Sequence, residues 1–413
     1  MIIVLFTNNY PFDSSAEQNF LKGEVELLSR KFERIILVPR EARGELLPLP
    51  AGVEVDVRFA KSYTLVRRIF ASFLAPLSKD FYLDIWARLP GSLSPLYLWR
   101  LFFFLGGAIL TRNWVKNFLV EKKIPLINLV FYTYWFNEIS MGIGLVKEKH
   151  PTMRLISRAH GYDIYEELYK PWPCRDRAIS LLDGLYSASE AGTKYLVERY
   201  PRYAEKYKTA LLGVPDPGGV TRPSSDGILR IVSCSSINPI KRLDLLFAGV
   251  QEASHLRSNL TFEWHHFGDG DRLEEFIRKS QTETAPNSMI KFHGNIPKSR
   301  LIQIYLTQPV DVFVNVSSTE GTPVSIMEAI SCGIPVVATA VGGNVEIVNE
   351  TNGFLLSKDP TPKEIAETLI AICDQHDEMS KKRKGSIDMW LERYNETKNF
   401  EEFARTLIEI RKI

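Results

Sequence analysis

Short β-branched, apolar runs alternate with helix-patterned segments twice along this chain, and one stretch rich in Pro, Gly and Ser separates the two series. The first series has strand-like runs at 2–6, 34–38, 129–132, 154–157 and 184–187, with a helix from about 16 to 30 after the first. The second has them at 229–234, 260–267, 290–293, 310–315 and 334–338. Such alternation predicts parallel sheets covered by helices on both faces, hence two doubly wound α/β domains. The punctuating stretch, 215–227, reads as the linker. The chain therefore divides into a first domain at 1–214, a second at 228–393 and a last helix at 394–413 that the second sheet does not need. With 413 residues and 45% hydrophobic content there is enough apolar surface for two or three cores.

Within the second series, one segment carries most of the chemistry. A buried strand at 311–316 runs through Ser317-Ser318-Thr319 into Glu320-Gly321-Thr322-Pro323-Val324, and an apolar helix follows as far as Gly333 and Pro335. Thr322 is the expected N-cap and Pro323 the expected first helical residue. A strand that feeds a helix through small residues is an anion site, because free N–H groups and the helix dipole face the loop. Glu320 lies in that loop. Glu328 lies six residues past the expected cap, about 9 Å further along the axis. A diphosphate would repel both carboxylates, so they suit hydroxyl groups on either side of it, such as those of a sugar and a ribose.

Glu320 and Glu328 with seven residues between them, followed by Gly-Ile-Pro-Val-Val-Ala-Thr and Gly342-Gly343-Asn344, resemble the signature of the retaining GT-B glycosyltransferases called glycosyl transferases group 1, or family 4. The resemblance implies a GT-B fold, two Rossmann-like domains facing a deep interdomain cleft. It also implies that Glu320 lies by the donor sugar and that Glu328 binds ribose hydroxyls. Val232-Ser-Cys-Ser-Ser-Ile-Asn-Pro-Ile-Lys241 resembles the loop that offers a basic pair to the donor diphosphate. Here Ser236 stands where many members have Arg, which leaves Lys241, aided by Arg242. Phe267-Gly268-Asp269-Gly270 resembles the loop beside the nucleotide base, and His293-Gly294 is a further match to the family. Arg158-Ala-His160-Gly161-Tyr-Asp163 ends a strand and resembles the loop whose His contacts the donor sugar, with Asp163 a second candidate there. In such relatives the last helix crosses back onto the first domain. The residues after the first strand, 7–16, lack the paired glycines of relatives, and Ser189 reads as a helix cap.

Residues 61–123 differ from the rest in holding ten Lys or Arg against three acids, interleaved with ten Phe or Trp. The most apolar run, 96–110, is about fifteen residues long and contains Arg100, too short and too charged for a span of roughly twenty residues. The pattern suits a segment lying in the headgroups of an anionic bilayer, or an insertion that packs its aromatics on its own core. A net charge of +2 with no basic recognition helix argues against nucleic acid. The four cysteines have no metal-ligand spacing and read as buried apolar residues of a reducing compartment. The first residues lack a basic lead and read as a strand rather than a signal peptide.

The expected transferase uses protein charge, Lys241 and the helix N-terminus, in place of a metal. The nucleoside-diphosphate sugar is a substrate and no cofactor is expected. The resemblance implies front-face attack with retention and a glycan or lipid-linked glycan acceptor. It also implies a place in bacterial surface polysaccharide synthesis, peripheral on the cytoplasmic face of the inner membrane. The alternatives are a nucleotide-sugar epimerase of the same architecture, and a catalytically weak scaffold subunit, which Ser236 favours.

Overall fold

In the computed structural model, which describes residues 1–14, 17–88, 94–169 and 171–410, the chain forms two units. One is Met1–Leu212 joined by the tail from Thr397, and the other is Gly213–Glu396.

The first unit is built on a seven-stranded sheet in the order β3-β2-β1-β4-β5-β6-β7, parallel throughout. Its strands are β1 (Ile2–Thr7), β2 (Arg34–Pro39), β3 (Val53–Val55), β4 (Leu129–Thr133), β5 (Arg154–Ala159), β6 (Gly184–Ser187) and β7 (Tyr207–Thr209). All six residues of β1 are buried, because helices cover both faces of the sheet and no side chain of the strand turns to water. Ile2, Val4 and Phe6 pack with Trp114 and Phe118 of the Pro95–Lys122 helix. Ile3 and Leu5 share a second core with Leu21 and Val25 of the Gln18–Lys31 helix and with Phe403 and Leu407 of the Glu396–Ile410 helix. That last helix is amphipathic, and its apolar stripe is what attaches the tail to this unit. Phe403 lies edge-on to Tyr132 and Tyr186, and Asn399 donates to the Leu212 carbonyl at 2.8 Å.

The second unit has a six-stranded parallel sheet in the order β10-β9-β8-β11-β12-β13. Its strands are β8 (Ile228–Cys234), β9 (Thr261–Phe267), β10 (Ser288–Phe292), β11 (Val312–Asn315), β12 (Val336–Thr339) and β13 (Gly353–Leu356). Two doubly wound parallel-sheet domains agree with the architecture read from the sequence.

Three boundaries differ from that reading. The 215–227 stretch is no free linker: it packs on the second unit, with Thr221 N–H on the Cys332 carbonyl at 2.8 Å and Ser224 Oγ on Asp311 at 2.6 Å. The division therefore falls at 212/213. The anion-site helix is Val324–Ser331, with Pro323 rather than Thr322 as its N-cap. The ψ of Pro323 is 91°, outside the helical range, and its carbonyl accepts the Ile326 and Met327 amides. Glu328 is consequently five residues past the cap, about 7.5 Å along the axis. The helix after β1 is Gln18–Lys31, and the expected start at Ala16 lies outside the described residues. The apolar 96–110 run is part of the 28-residue Pro95–Lys122 helix, and no described helix is long and apolar enough to cross a membrane.

Candidate active site

In the second unit, the ends of β8 and β11 bring Lys241 and Glu320 together, although 79 positions separate them. Asn238 caps a one-turn 3-10 helix, Pro239–Lys241, its Oδ1 accepting the Ile240 amide at 3.0 Å and the Lys241 amide at 3.3 Å. Lys241 at the end of that turn reaches Glu320 Oε1 at 2.6 Å. The same oxygen accepts Asn315 Nδ2 at 3.0 Å and Ser317 Oγ at 2.7 Å. Three donors converging on one carboxylate oxygen fix the rotamer of Glu320 and hold an ammonium at the mouth of the Val324–Ser331 helix. The first amides of that helix have no intrahelical partner.

The loop carrying Glu320 is clasped by glycines. Gly342 has φ +46°, and a Cβ there would lie 1.8 Å from the Glu320 carbonyl oxygen, so any side chain would push the loop away. The Gly343 amide donates to that carbonyl at 3.2 Å. Gly268 at the end of β9 has the same function for the neighbouring loop: with φ +142°, a Cβ would meet the Ser235 carbonyl at 1.8 Å. Asp269 is exposed beside it, its carbonyl accepting the Ile237 amide at 2.8 Å. Gly321, Thr322 and Val324 are half-buried around Glu320, and Pro323 is buried.

Glu328 is only 7% exposed and pairs with Lys298 Nζ at 2.9 Å. Lys298 had no local signal in the sequence, since it opens a helix thirty residues upstream. Arg242 is differently engaged from Lys241. Its guanidinium donates to the carbonyls of Val316, Ser317 and Lys358 at 2.6, 3.0 and 2.9 Å and pairs with Asp359 at 2.9 Å. With φ +50°, Arg242 clamps the 239–242 turn to the end of β11, and Lys241 is left as the unclamped cation of the two. Ser236 is exposed and accepts from Asn238 Nδ2 at 2.9 Å, so it supports the cap. Among the described residues no group of three or more His, Cys, Asp or Glu is placed to hold a metal ion, and the four cysteines are free thiols.

His160 and Asp163 lie in the first unit, where β5 ends. The His160 ring sits 4.7 Å from Tyr134 and 4.6 Å from Trp135, centroid to centroid, and neither ring nitrogen has a hydrogen-bond partner among the described residues. Asp163 turns back on the loop, accepting the His160 amide and, at 2.7 Å, the Phe136 amide. Asp163 therefore shapes the loop that presents His160. Next to them a cavity of about 520 Å³ is lined by Asn9, Trp135, Asn137, Tyr162, Trp172 and Arg40 among others. Ser189 is the helix cap it was read as, accepting the Gly192 amide at 3.1 Å.

Burial and the adjacent Arg158 guanidinium push the His160 imidazole down to about 3, and burial pushes the Asp163 carboxyl up to about 7. The two have opposite linkage. A histidine depressed by folding adds stability as pH rises from about 3 to its ordinary 6.5. An aspartate raised by folding loses stability as pH rises from its ordinary 3.8 to about 7. The slopes oppose each other between about pH 4 and 6.5 in the wild type. Asp163→Asn is expected to unmask the histidine slope, so that its urea midpoint climbs with pH across that window relative to wild type. Parallel midpoint curves for the two proteins would contradict the assigned protonation states.

Residues 229–375 match the family model described as Glycosyl transferases group 1, and they contain every second-unit residue discussed above from β8 onward. The second unit carries a glycosyl transferases group 1 domain. The chain shares 34% identity over 142 residues with a component of the Arabidopsis thaliana phosphatidylinositol N-acetylglucosaminyltransferase, covering 34% of this chain and 30% of that protein. A second relative is the GtfA component of the Streptococcus agalactiae UDP-N-acetylglucosamine–peptide N-acetylglucosaminyltransferase. It is 24% identical over 210 residues, which cover 48% of this chain and 39% of the relative. The matches thus span only about a third of the length of these curated relatives. Over 99% of the chain, the fold is that of GT-B glycosyltransferases. The lipopolysaccharide outer core galactosyltransferase WaaB superposes with a TM-score of 0.68 at 14% identity, over 99% of its own chain. Anabaena Alr3699/HepE, solved with UDP and glucose, gives 0.62 at 15%, over 100% of its chain.

Proposed function

We propose that this chain is a retaining glycosyltransferase that moves a hexosyl unit from a UDP-sugar to a glycan acceptor. The observation that carries the reading is the Lys241–Glu320 pair at the start of the Val324–Ser331 helix, inside the matched domain. Lys241 and the helix amides would receive the charge that develops on the departing diphosphate, with no metal ion or cofactor required. Glu320, with one oxygen held by three donors, would face the sugar. Glu328, with Lys298 fixing its carboxylate, would take the ribose hydroxyls. Uridine is favoured by the names of the relatives, which use UDP-N-acetylglucosamine or were solved with UDP. The acceptor is proposed to be lipid-linked, at the cytoplasmic face of a bacterial inner membrane, in surface polysaccharide synthesis. The basic, aromatic 61–123 segment supports that part.

A thermal-shift comparison of UDP, GDP, ADP, TDP and CMP, with and without EDTA, tests the donor site. Stabilisation by UDP that survives EDTA is expected, growing with the logarithm of concentration above Kd. Glu328→Gln should keep the fold, since the amide can still meet Lys298, and weaken UDP by about tenfold through the lost charge-assisted bonds. No shift with any nucleotide would favour the scaffold reading, for which Ser236 in place of a diphosphate-binding Arg is the specific observation.

A further inference from the structure

Among the described residues, twelve of the 25 large apolar side chains that remain exposed lie between 65 and 99. The clustering has a structural cause. The Leu65–Ser72 helix packs its Ala71 and Ser72 side so closely on the Pro95–Lys122 helix that a Cβ at Gly106 would come within 2.8 Å of the Arg68 carbonyl oxygen. Its opposite side, with Val66 and Phe70 60% and 68% exposed, is left outward. Phe73 and Leu77 follow it, and Trp86 continues the apolar surface on the Lys79–Arg88 helix. A patch of this kind marks an interaction surface, and its charge selects the partner: the 61–123 segment holds ten basic residues against three acids. All three acids are already paired, Asp80 with Arg177, Asp84 with Arg88 and Glu121 with Arg58.

At the start of the same helix lies a groove of about 450 Å³ lined by Arg40, Arg43, Tyr63, Thr64, Leu65 and Arg68 among others. Arg40 and Arg68 share one buried carboxylate, Glu138, at 3.7 and 3.1 Å, and Arg43 pairs with Glu41 at 3.2 Å, so one positive charge is left over. The groove shares Arg40, Glu41 and Arg43 with the cavity lined by Trp135, Tyr162 and Trp172. Outward along the surface, the order is therefore an aromatic cavity with amide side chains, a cationic groove, and an apolar helix face. That sequence of chemistries matches sugar, phosphate and hydrocarbon in turn.

We propose that the exposed 65–86 face enters an anionic bilayer and that the arginine groove beside it holds the phosphate of a lipid-linked acceptor. The proposal deepens the transferase reading and rests on it for the word acceptor, but bilayer binding can be measured without turnover. The full chain is sedimented with phosphatidylcholine vesicles, with and without phosphatidylglycerol. Wild type is expected to partition roughly tenfold more onto the anionic vesicles. Phe70→Glu with Phe73→Glu should abolish binding to them without lowering the unfolding midpoint, because both rings are more than two-thirds exposed. Arg43→Glu, at a side chain 78% exposed, should lower partitioning onto anionic vesicles by roughly tenfold and leave the neutral background unchanged. Wild-type binding indifferent to phosphatidylglycerol, or unchanged in the double variant, would overturn the proposal. So would a dimer in light scattering that the double variant dissolves while vesicle binding is absent, since a second copy would then cover the face. Vesicle binding without any UDP stabilisation would leave the surface standing and remove the transferase reading instead.

Discussion

Lys241→Ala is expected to lower turnover by about two to three orders of magnitude with little change in the unfolding midpoint. The size follows from the loss of one preorganised cation aimed at charge that develops only as the glycosidic bond to the diphosphate breaks. The fold should tolerate the change, because Glu320 keeps Asn315 and Ser317 on the same oxygen and the turn is held by Asn238 and Arg242. The loss should fall on kcat more than on KM, since ribose and base contacts are untouched. Arg242 cannot take over: three backbone carbonyls and Asp359 already occupy its guanidinium. Lys241→Arg, which keeps the charge, should recover part of the rate. Steady-state kinetics with a radiolabelled UDP-sugar would check this, and a Lys241→Ala enzyme within about threefold of wild type would remove Lys241 from the chemistry.

The strands were readable because parallel sheets covered on both faces turn them into continuous apolar runs. Those that escaped were short pieces at or near sheet edges. β3 is only half-buried, β7 leaves Lys208 and Thr209 exposed, and β13 begins with a glycine, so none shows a sustained apolar run. Glu320 and Lys241 were legible because each sits at a strand end in a loop with its own turn chemistry. The Lys298–Glu328 pair and the Arg242 clamp were not, since both depend on segments that meet only in the folded sheet. The same limit applies to the 61–123 segment. Its composition gave the excess of charge and aromatic rings, but only the packing separates Trp114 and Phe104, which are buried, from Phe70 and Phe73, which are not.

Arg158 shows how the loop bearing His160 depends on charge buried out of reach of water. Arg158 and Glu24 are both fully buried and pair at 3.4 Å, Tyr132 donates to Glu24 at 2.7 Å, and the guanidinium lies 4.5 Å from the Phe403 ring on the returning tail. Desolvation raises the Glu24 carboxyl, and Arg158 and the Tyr132 hydroxyl pull it back down. Arg158→Met is therefore expected to destabilise the protein by about 3–5 kcal/mol, because it strands a carboxylate in an apolar interior. Uptake of a proton by Glu24 would soften the loss at low pH, so the deficit should grow as pH rises. Glu24→Met together with Arg158→Met should regain much of it, since an apolar pair of similar volume needs no desolvation. Urea unfolding of the two single variants and the double at about pH 5 and pH 8 would measure the coupling. If Arg158→Met costs less than about 1 kcal/mol at both pH values, against the several expected for an unpaired buried charge, the pair does not hold the strand that carries His160. A loss that the double variant repairs would mean instead that the first unit depends on both members together, and that His160 is set by a charge it never touches.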